Sequence, residues 1–350
     1  MREKRHFGEG QPCYLIAEMS ANHAGDLSRA LEIVHAAKEA GADCIKTQTY
    51  TADTLTIDCD NEYFQIHEGP WQGRTLYDLY REAYTPWDWL ARIKEEADHV
   101  GLDFLSTPFD RTAVDFLSEL GVDFYKVASF ELNDIPLLRY IAATGKPIIA
   151  STGMASLGEI ERAVRAVRAV RAVRVEGNQE LCLLKCSSAY PAIPDDMNLR
   201  AIPHLAATFG VPAGLSDHTL GSVAAVAAVV VGACVVEKHF CLSRSISNPD
   251  AAFSMEPDEF RRMKEDIRSV ERALGTIQYG VSAAEEGSAV FRRSLFVVQN
   301  VKAGETFTSE NVRSIRPGYG LEPRHYDTVI GRTAGVDIVR GTPLAWNMVR

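Results

Sequence analysis

The sequence predicts a (β/α)8 barrel followed by a small mixed α+β domain. Eight short β-rich runs alternate with eight helical patterns, over about the length such a barrel occupies. Most of the runs are near-continuously apolar, as parallel strands buried on both faces should be. After Gly280 the rhythm stops and short strand and turn signals replace it. A doubly wound open sheet usually needs fewer strands, and no GxGxxG opens a helix in this chain.

The expected strands are Tyr14–Ser20, Cys44–Tyr50, Phe104–Phe109, Phe124–Ser129, Ile148–Gly153, Leu181–Ser187, Pro212–His218 and Cys234–Phe240. Helical spacing marks Leu27–Ala40, Pro86–Val100, Thr112–Leu120, Ile135–Thr144, Leu157–Val173, Leu199–Phe209, Leu220–Val231 and Pro257–Leu274. Asp26, Asp134 and Ser156 suit N-caps, and Glu256-Pro257 suits a helix start. Gly41, Gly101, Gly121, Gly145, Gly210 and Gly232 fall where helices should stop. Residues 1–280 are assigned to the barrel, 281–290 to a linker and 291–350 to the second domain. In the latter, Phe291–Val298 reads as a strand, TSENV (308–312) as a helix start, Arg316-Pro-Gly-Tyr-Gly as a corner, and Gly331–Leu344 as further short strands and turns.

Two segments depart from the rhythm. Thr51–Thr85 is a long insertion after the second strand, rich in Asp, Gly and aromatics and placed to cover a site at the strand ends. Arg162–Arg174 repeats with period three. On a helix of 3.6 residues per turn that period drifts around the cylinder, so the arginines form no straight stripe. Slippage lengthening an exposed helix is the plain reading, and a basic docking face is the other.

At 350 residues the chain exceeds what one core usually supports. A net charge of −10, with both signs interspersed, argues against nucleic acid or an anionic membrane as the main partner. The 7 cysteines stand singly without a CxxC pair, and Cys13, Cys44, Cys182, Cys186 and Cys234 sit in apolar runs, as reduced core thiols of a cytoplasmic protein would. The charged start MREKRHFGEGQP lacks the apolar run of a signal peptide, and Val223–Val236 is too short for a bilayer and interrupted by Gly232. A soluble cytoplasmic enzyme is expected.

Residues at the C-terminal ends of barrel strands line the active site. Here every strand ends in polar groups: Glu18, Asn22 and His23; Lys46 and Gln48; Ser106 and Thr107; Lys126, Ser129 and Glu131; Ser151 and Thr152; Lys185, Ser187, Ser188 and Tyr190; Ser216, Asp217 and His218; Glu237, Lys238 and His239. A single buried Ser or Lys is often a satisfied core group, but packing has no reason to gather eight sets at one end. Lys46, Lys126 and the hydroxyls suit a phosphate together with a carboxylate. His218 and His239, on neighbouring strands, could hold a divalent ion whose other ligands are water or substrate oxygen. Glu18 is the acid/base candidate.

IAEMSANHAGD, DCIKTQTY, FLSTPFD, YKVASFE, STGM, LLKCSSAYP, GLSDHT and EKHF, in that order, closely resemble the sialic acid synthases. FRRSLFVV…SIRPGYG resembles their antifreeze-like (SAF) C-terminal domain. EMSANH, YTADTLTIDCDNEYF, LYREAYTPW and CSSAYP look most like the members that make pseudaminic acid. The resemblance implies that phosphoenolpyruvate condenses with an amino-sugar aldehyde. Lys46, Thr107, Lys126, Ser129, Ser151, Ser188 and Ser216 would bind the enol phosphate, and Gln48, Glu131, Tyr190 and Asp250 the sugar. His218 and His239 would hold Mn2+, with Mg2+ or Co2+ as alternatives, and Glu18 would guide water. Arg316 would act on the sugar's N-acyl region from the small domain of a partner subunit in a domain-swapped homodimer.

Ser188 stands where some members carry Asn, and Ile246-Ser247-Asn248 replaces an expected Asp-Gly-Gly-like run. The first leaves one hydrogen bond in doubt, and the second allows an altered sugar preference or weaker activity. Rival expectations are a sibling synthase using N-acetylmannosamine or a legionaminic-type precursor, and a non-catalytic sugar-binding barrel.

Overall fold

The computed structural model describes residues 8, 10–174 and 181–350, with backbone alone for 171–174. The chain divides into two compact units, Met1–Gly275 and Thr276–Arg350. In the first, eight parallel strands close into a barrel in chain order. They are β1 (Tyr14–Glu18), β2 (Cys44–Thr49), β3 (Asp103–Pro108), β4 (Tyr125–Val127), β5 (Ile148–Ser151), β6 (Leu181–Cys186), β7 (Ala213–Asp217) and β8 (Val235–His239). Closure pairs Glu18 with His239 on one side and with Lys46 on the other, which sets these three residues at one level.

The helices obey their end signals. Asp26 accepts from the amides of Ser28 and Arg29 to start Leu27–Ala40, and Gly41 stops it at a φ of 87°. Ile33, Val34 and Ala37 of that helix, Leu90, Ile93 and Ala97 of Trp87–Val100, and Ala113, Val114 and Leu117 of Arg111–Leu120 are buried against the barrel wall. Their three- and four-residue spacing is what brings them to one face. Pro257–Leu274 sets Phe260 edge-on to Phe240, with centroids 5.5 Å apart. Truncating such a buried ring to alanine costs about 3–5 kcal/mol.

Strand alternation builds the site. Tyr14, Ile16, Cys44, Leu105, Phe124, Ile149, Cys182, Leu184 and Val235 form an apolar cluster of their own, distinct from the larger cluster between strands and helices. We read it as the plug of the barrel interior. Two residues beyond seven of these come Glu18, Lys46, Thr107, Lys126, Ser151, Cys186 and Glu237. A period of two keeps them on the same face, one layer higher. The floor of the mouth is therefore apolar and its walls are polar.

Four expectations need correction or refinement. Thr51–Thr85 is no plain loop: it folds into Ala52–Leu55, Glu62–Phe64 and Leu76–Ala83, the last started by the Thr75 hydroxyl. TSENV starts no helix. The Asn311 carbonyl oxygen accepts from Thr308 N–H, its amide donates to Thr306 O, and the turn enters a strand instead. That strand, β10 (Val312–Ile315), pairs antiparallel with β9 (Ser294–Val297) over a core including Leu295, Phe307 and Leu344. After Gly331 no further strand forms among the described residues; isolated bridges such as Val301 with Ile338 take their place. The arginine repeat drifts as its period demands. Arg162 and Arg165 are exposed, while Arg168 is half-buried and donates to Phe209 O at a helix C-terminus. The side chains of Arg171 and Arg174 lie outside the described residues.

Candidate active site

A chain of buried charges crosses the mouth. Lys46 Nζ lies 2.7 Å from Glu18 Oε2 and 3.3 Å from Glu237 Oε1. Glu237 Oε2 is 3.8 Å from Lys126 Nζ, which donates to Ser151 Oγ at 2.7 Å. Burial opposes the Lys46 charge, but Glu18 and Glu237 outweigh it and raise its pKa. Lys126 goes the other way, because burial exceeds the help it draws from Glu237. Burial pushes the Glu18 carboxyl up despite Lys46, with Glu237 adding to the rise. Burial would also raise Glu237, yet Lys126, Lys46 and His218 hold it below the ordinary range. Two carboxylates with opposite shifts beside one lysine separate a proton acceptor from a fixed counter-charge.

Beside Lys126 lies a hydroxyl cradle. Gly153 donates its amide to Ser129 Oγ at 3.1 Å. A Cβ on Gly153 would sit 2.3 Å from Ser188 Oγ and 2.7 Å from Ser129 Oγ, so only glycine lets the two hydroxyls converge. Ser188 Oγ is buried without a hydrogen-bond partner among the described residues. Lys46 Nζ reaches Thr107 Oγ1 at 3.4 Å, and Ser216 Oγ is 3.5 Å from Glu237 Oε1. Two ammonium groups and unspent hydroxyl capacity fit a phosphate.

The two imidazoles stand side by side, ring centroids 5.4 Å apart. Ser187 O is 2.7 Å from His218 Nδ1, which assigns a proton to that nitrogen. Burial opposes the charge of this ring, but Cys186 and Ser187 outweigh it and raise its pKa, so a ligand at Nε2 would take the place of the second proton. His239 Nδ1 is buried without a partner among the described residues. Burial, then His218 and Lys46, hold the His239 pKa well below its ordinary value, so this ring is neutral. Among the described residues no group of three or more His, Cys, Asp or Glu gathers as a metal site. The donors fit a divalent ion held by two imidazoles and completed by water or substrate. Tyr190 packs tilted against His218 with centroids 4.3 Å apart, and Phe253 meets His239 edge-on at 5.0 Å. From the insertion, Trp71 packs on Tyr190 at 5.7 Å and donates its indole N–H to Pro249 O, so this segment reaches the mouth as expected.

Opposite Lys46, Gln48 Nε2 donates to Glu18 Oε1 and to Ser20 Oγ, both at 2.9 Å. Asp250 Oδ2 accepts from Ala21 N–H at 3.1 Å. Asn248, in the departing loop, accepts from Asp250 N–H at 2.9 Å and so helps place that carboxylate. Burial pushes Glu131 up to about 7.

Several rim candidates belong elsewhere. Asp217 and Lys238 pair with each other at 2.7 Å, His23 bonds Thr85, and Asn22 bonds Ser254. Ser106 bonds Thr47 and Thr49, Thr152 donates to Leu184 O, and Lys185 donates to Cys186 O. Arg316 lies in the second unit, exposed, at the residue after β10. Sequence reasoning named Glu237 at the rim without giving it a role; its place two residues beyond Val235 was the available signal. It also took Cys186 for a plain core thiol. Burial raises that thiol, but its contact with His218, 3.9 Å from Nδ1, brings the pKa down to about 7.

Comparisons with known proteins bear on family and fold. Residues 33–279 match the NeuB family and residues 292–350 the SAF domain. The chain is 43% identical over 339 residues to the pseudaminic acid synthase of Campylobacter jejuni, covering 97% of each. It is 40% identical over 336 residues to that of Helicobacter pylori, covering 96% of this chain and 97% of the relative. Among solved structures, the N-acetylneuraminic acid synthetase of Leptospira borgpetersenii in complex with citrate superposes with a TM-score of 0.72 at 30% identity, covering 82% of this chain and 94% of its own. With a family match over most of its length and relatives this similar, the chain belongs to the NeuB family, the sialic acid synthases, and carries a C-terminal SAF domain.

Proposed function

We propose that this chain condenses phosphoenolpyruvate with 2,4-diacetamido-2,4,6-trideoxy-β-L-altropyranose and water, giving pseudaminic acid and phosphate. The observation that carries the reading is that Lys46 and Lys126, bridged by Glu237, share one mouth with the His218–His239 pair. The kinship with pseudaminic acid synthases supports the choice of sugar.

Lys46, Thr107, Lys126, Ser129, Ser151, Ser188 and Ser216 hold the enol phosphate, and Glu237 keeps both ammonium groups charged and aimed. Gln48, Glu131, Tyr190 and Asp250 hold the open-chain sugar with its aldehyde toward C3 of phosphoenolpyruvate. A divalent ion on His218 and His239, Mn2+ first and Mg2+ or Co2+ as alternatives, supplies Lewis-acid polarisation of the aldehyde when bound. As C3 forms its bond to the aldehyde carbon, positive charge develops at C2, and the Glu18 and Glu237 carboxylates stabilise it. Water adds at C2 while Glu18, whose raised pKa suits a base, takes its proton. The bond from C2 to the bridging oxygen then breaks: the added hydroxyl gives its proton to the departing phosphate as C2 becomes a carbonyl, and the bridging oxygen leaves with that phosphate. The proton taken by Glu18 passes to the alkoxide formed from the aldehyde. The cradle holds the phosphate charge throughout without transferring it.

In this reading Arg316 completes the sugar site from the SAF domain of a partner in a domain-swapped homodimer, and the enzyme works in the cytoplasm. No helix among the described residues is long and apolar enough to cross a membrane. The test is a panel of the altrose substrate, N-acetylmannosamine and a legionaminic-type precursor, each with phosphoenolpyruvate, read as phosphate release. Fastest release with the altrose sugar supports the proposal. Preference for either other sugar assigns a sibling activity, and no release with any sugar leaves a binding barrel.

A further inference from the structure

Ser20 sits in the EMSANH segment with a φ of 43°, in the left-handed region. Glycine takes that conformation without steric cost, whereas a serine there carries strain. Four described non-glycine residues have positive φ, namely Ser20, Ala24, Met154 and Asn198. Met154 is exposed, Ala24 has no polar group, and Asn198 bonds its neighbour Asp196. Ser20 alone of these is buried at the mouth with its side chain bonded to a site residue, Gln48.

A hydroxyl has one proton to give and two lone pairs to accept with. Ser20 Oγ accepts from Gln48 Nε2 at 2.9 Å. Gln48 Nε2 has two hydrogens. One goes to Ser20 and the other to Glu18 Oε1, so the amide orientation is fixed and its carbonyl oxygen becomes the group presented to a substrate. Asp250 Oδ2 accepts from Ala21 N–H at 3.1 Å, so the residue after Ser20 holds the carboxylate from the same short segment.

We propose that Ser20 is a positioning residue for the sugar half of the reaction: its hydroxyl, held in a strained backbone, fixes the Gln48 amide so that its carbonyl oxygen is presented as an acceptor to the sugar beside Asp250. The proposal rests on the assignment of Gln48 and Asp250 to the sugar. Phosphoenolpyruvate, on the Lys46–Lys126 side, does not depend on it.

The test compares wild type, Ser20→Ala and Ser20→Gly. Each is assayed for KM of the altrose sugar, KM of phosphoenolpyruvate, calorimetric phosphoenolpyruvate binding and melting temperature. Losing one such hydrogen-bonded anchor should raise the sugar KM about tenfold in both variants, with phosphoenolpyruvate KM and binding unchanged. Ser20→Gly, free of the strain, should melt about 2–4 °C above Ser20→Ala. Either of two results overturns the proposal: wild-type sugar KM in both folded variants, or sugar and phosphoenolpyruvate affinities falling together. A wild type that releases no phosphate from this sugar would instead refute the proposed function.

Discussion

Glu237→Gln removes one carboxylate from a buried quartet whose charges otherwise sum to zero, Glu18 and Glu237 against Lys46 and Lys126. Glu237 stands 3.3 Å from one ammonium and 3.8 Å from the other. At the effective dielectric of about 20 that suits such sites, those separations correspond to gross attractions of about 5 and 4 kcal/mol. Desolvation already offsets much of that, and breaking a buried pair from one side typically costs roughly 3–5 kcal/mol. The lower end applies here. Burial holds the Lys126 pKa down despite Glu237, so that pair retains less net stabilisation to lose than an unopposed one would. The variant should therefore lose about 3 kcal/mol of barrel stability at pH 7, measured by urea denaturation. Saturating phosphoenolpyruvate should shrink the deficit, because its phosphate supplies the missing negative charge. A variant within about 0.5 kcal/mol of wild type, or one stabilised by phosphoenolpyruvate no more than wild type is, would refute the electrostatic reasoning.

Further outcomes follow from the same geometry. Burial, then Arg29, pushes the pKa of His23 down to about 4, while its Nδ1 accepts from Gly25 N–H. The unfolded chain binds this proton first, so stability should fall as pH drops from about 6.5 to about 4. Denaturation midpoints across that window should fall less in His23→Gln. Chelator-treated enzyme should lose turnover and regain it with Mn2+. Mn2+ should raise the melting temperature of wild type and leave His239→Ala unmoved; activity indifferent to chelation counts against the imidazole pair. Mixing Arg316→Ala with Glu18→Ala subunits should restore part of the activity, and no rescue from a verified mixed dimer refutes action across subunits.

The barrel was legible because parallel strands and their helices carry strong local signals. Leu27–Ala40 and Pro257–Leu274 were read to the residue, since a cap, a proline or a glycine marks their ends. The rim was legible as a set but not as a site. Glu237 and Lys238 are adjacent in sequence, and only the alternation fixed by the plug residue Val235 sends the first to Lys46 and the second to Asp217. TSENV misled because its polar residues can cap a helix equally well, while the Asn311 side chain completes a turn into β10. Trp71 reaching Pro249 across 178 positions and the left-handed backbone of Ser20 leave no local trace.

The central claim is that Lys46, Lys126 and the cradle hold a phosphate whose C–O bond breaks at C2 after a carbon–carbon bond forms at C3. Phosphoenolpyruvate labelled with 18O at the bridging oxygen, incubated with the altrose sugar and this enzyme, reports on it directly. All the label should appear in the released phosphate, with unlabelled water supplying the new oxygen of the nine-carbon acid. Label retained in the sugar acid would contradict the account.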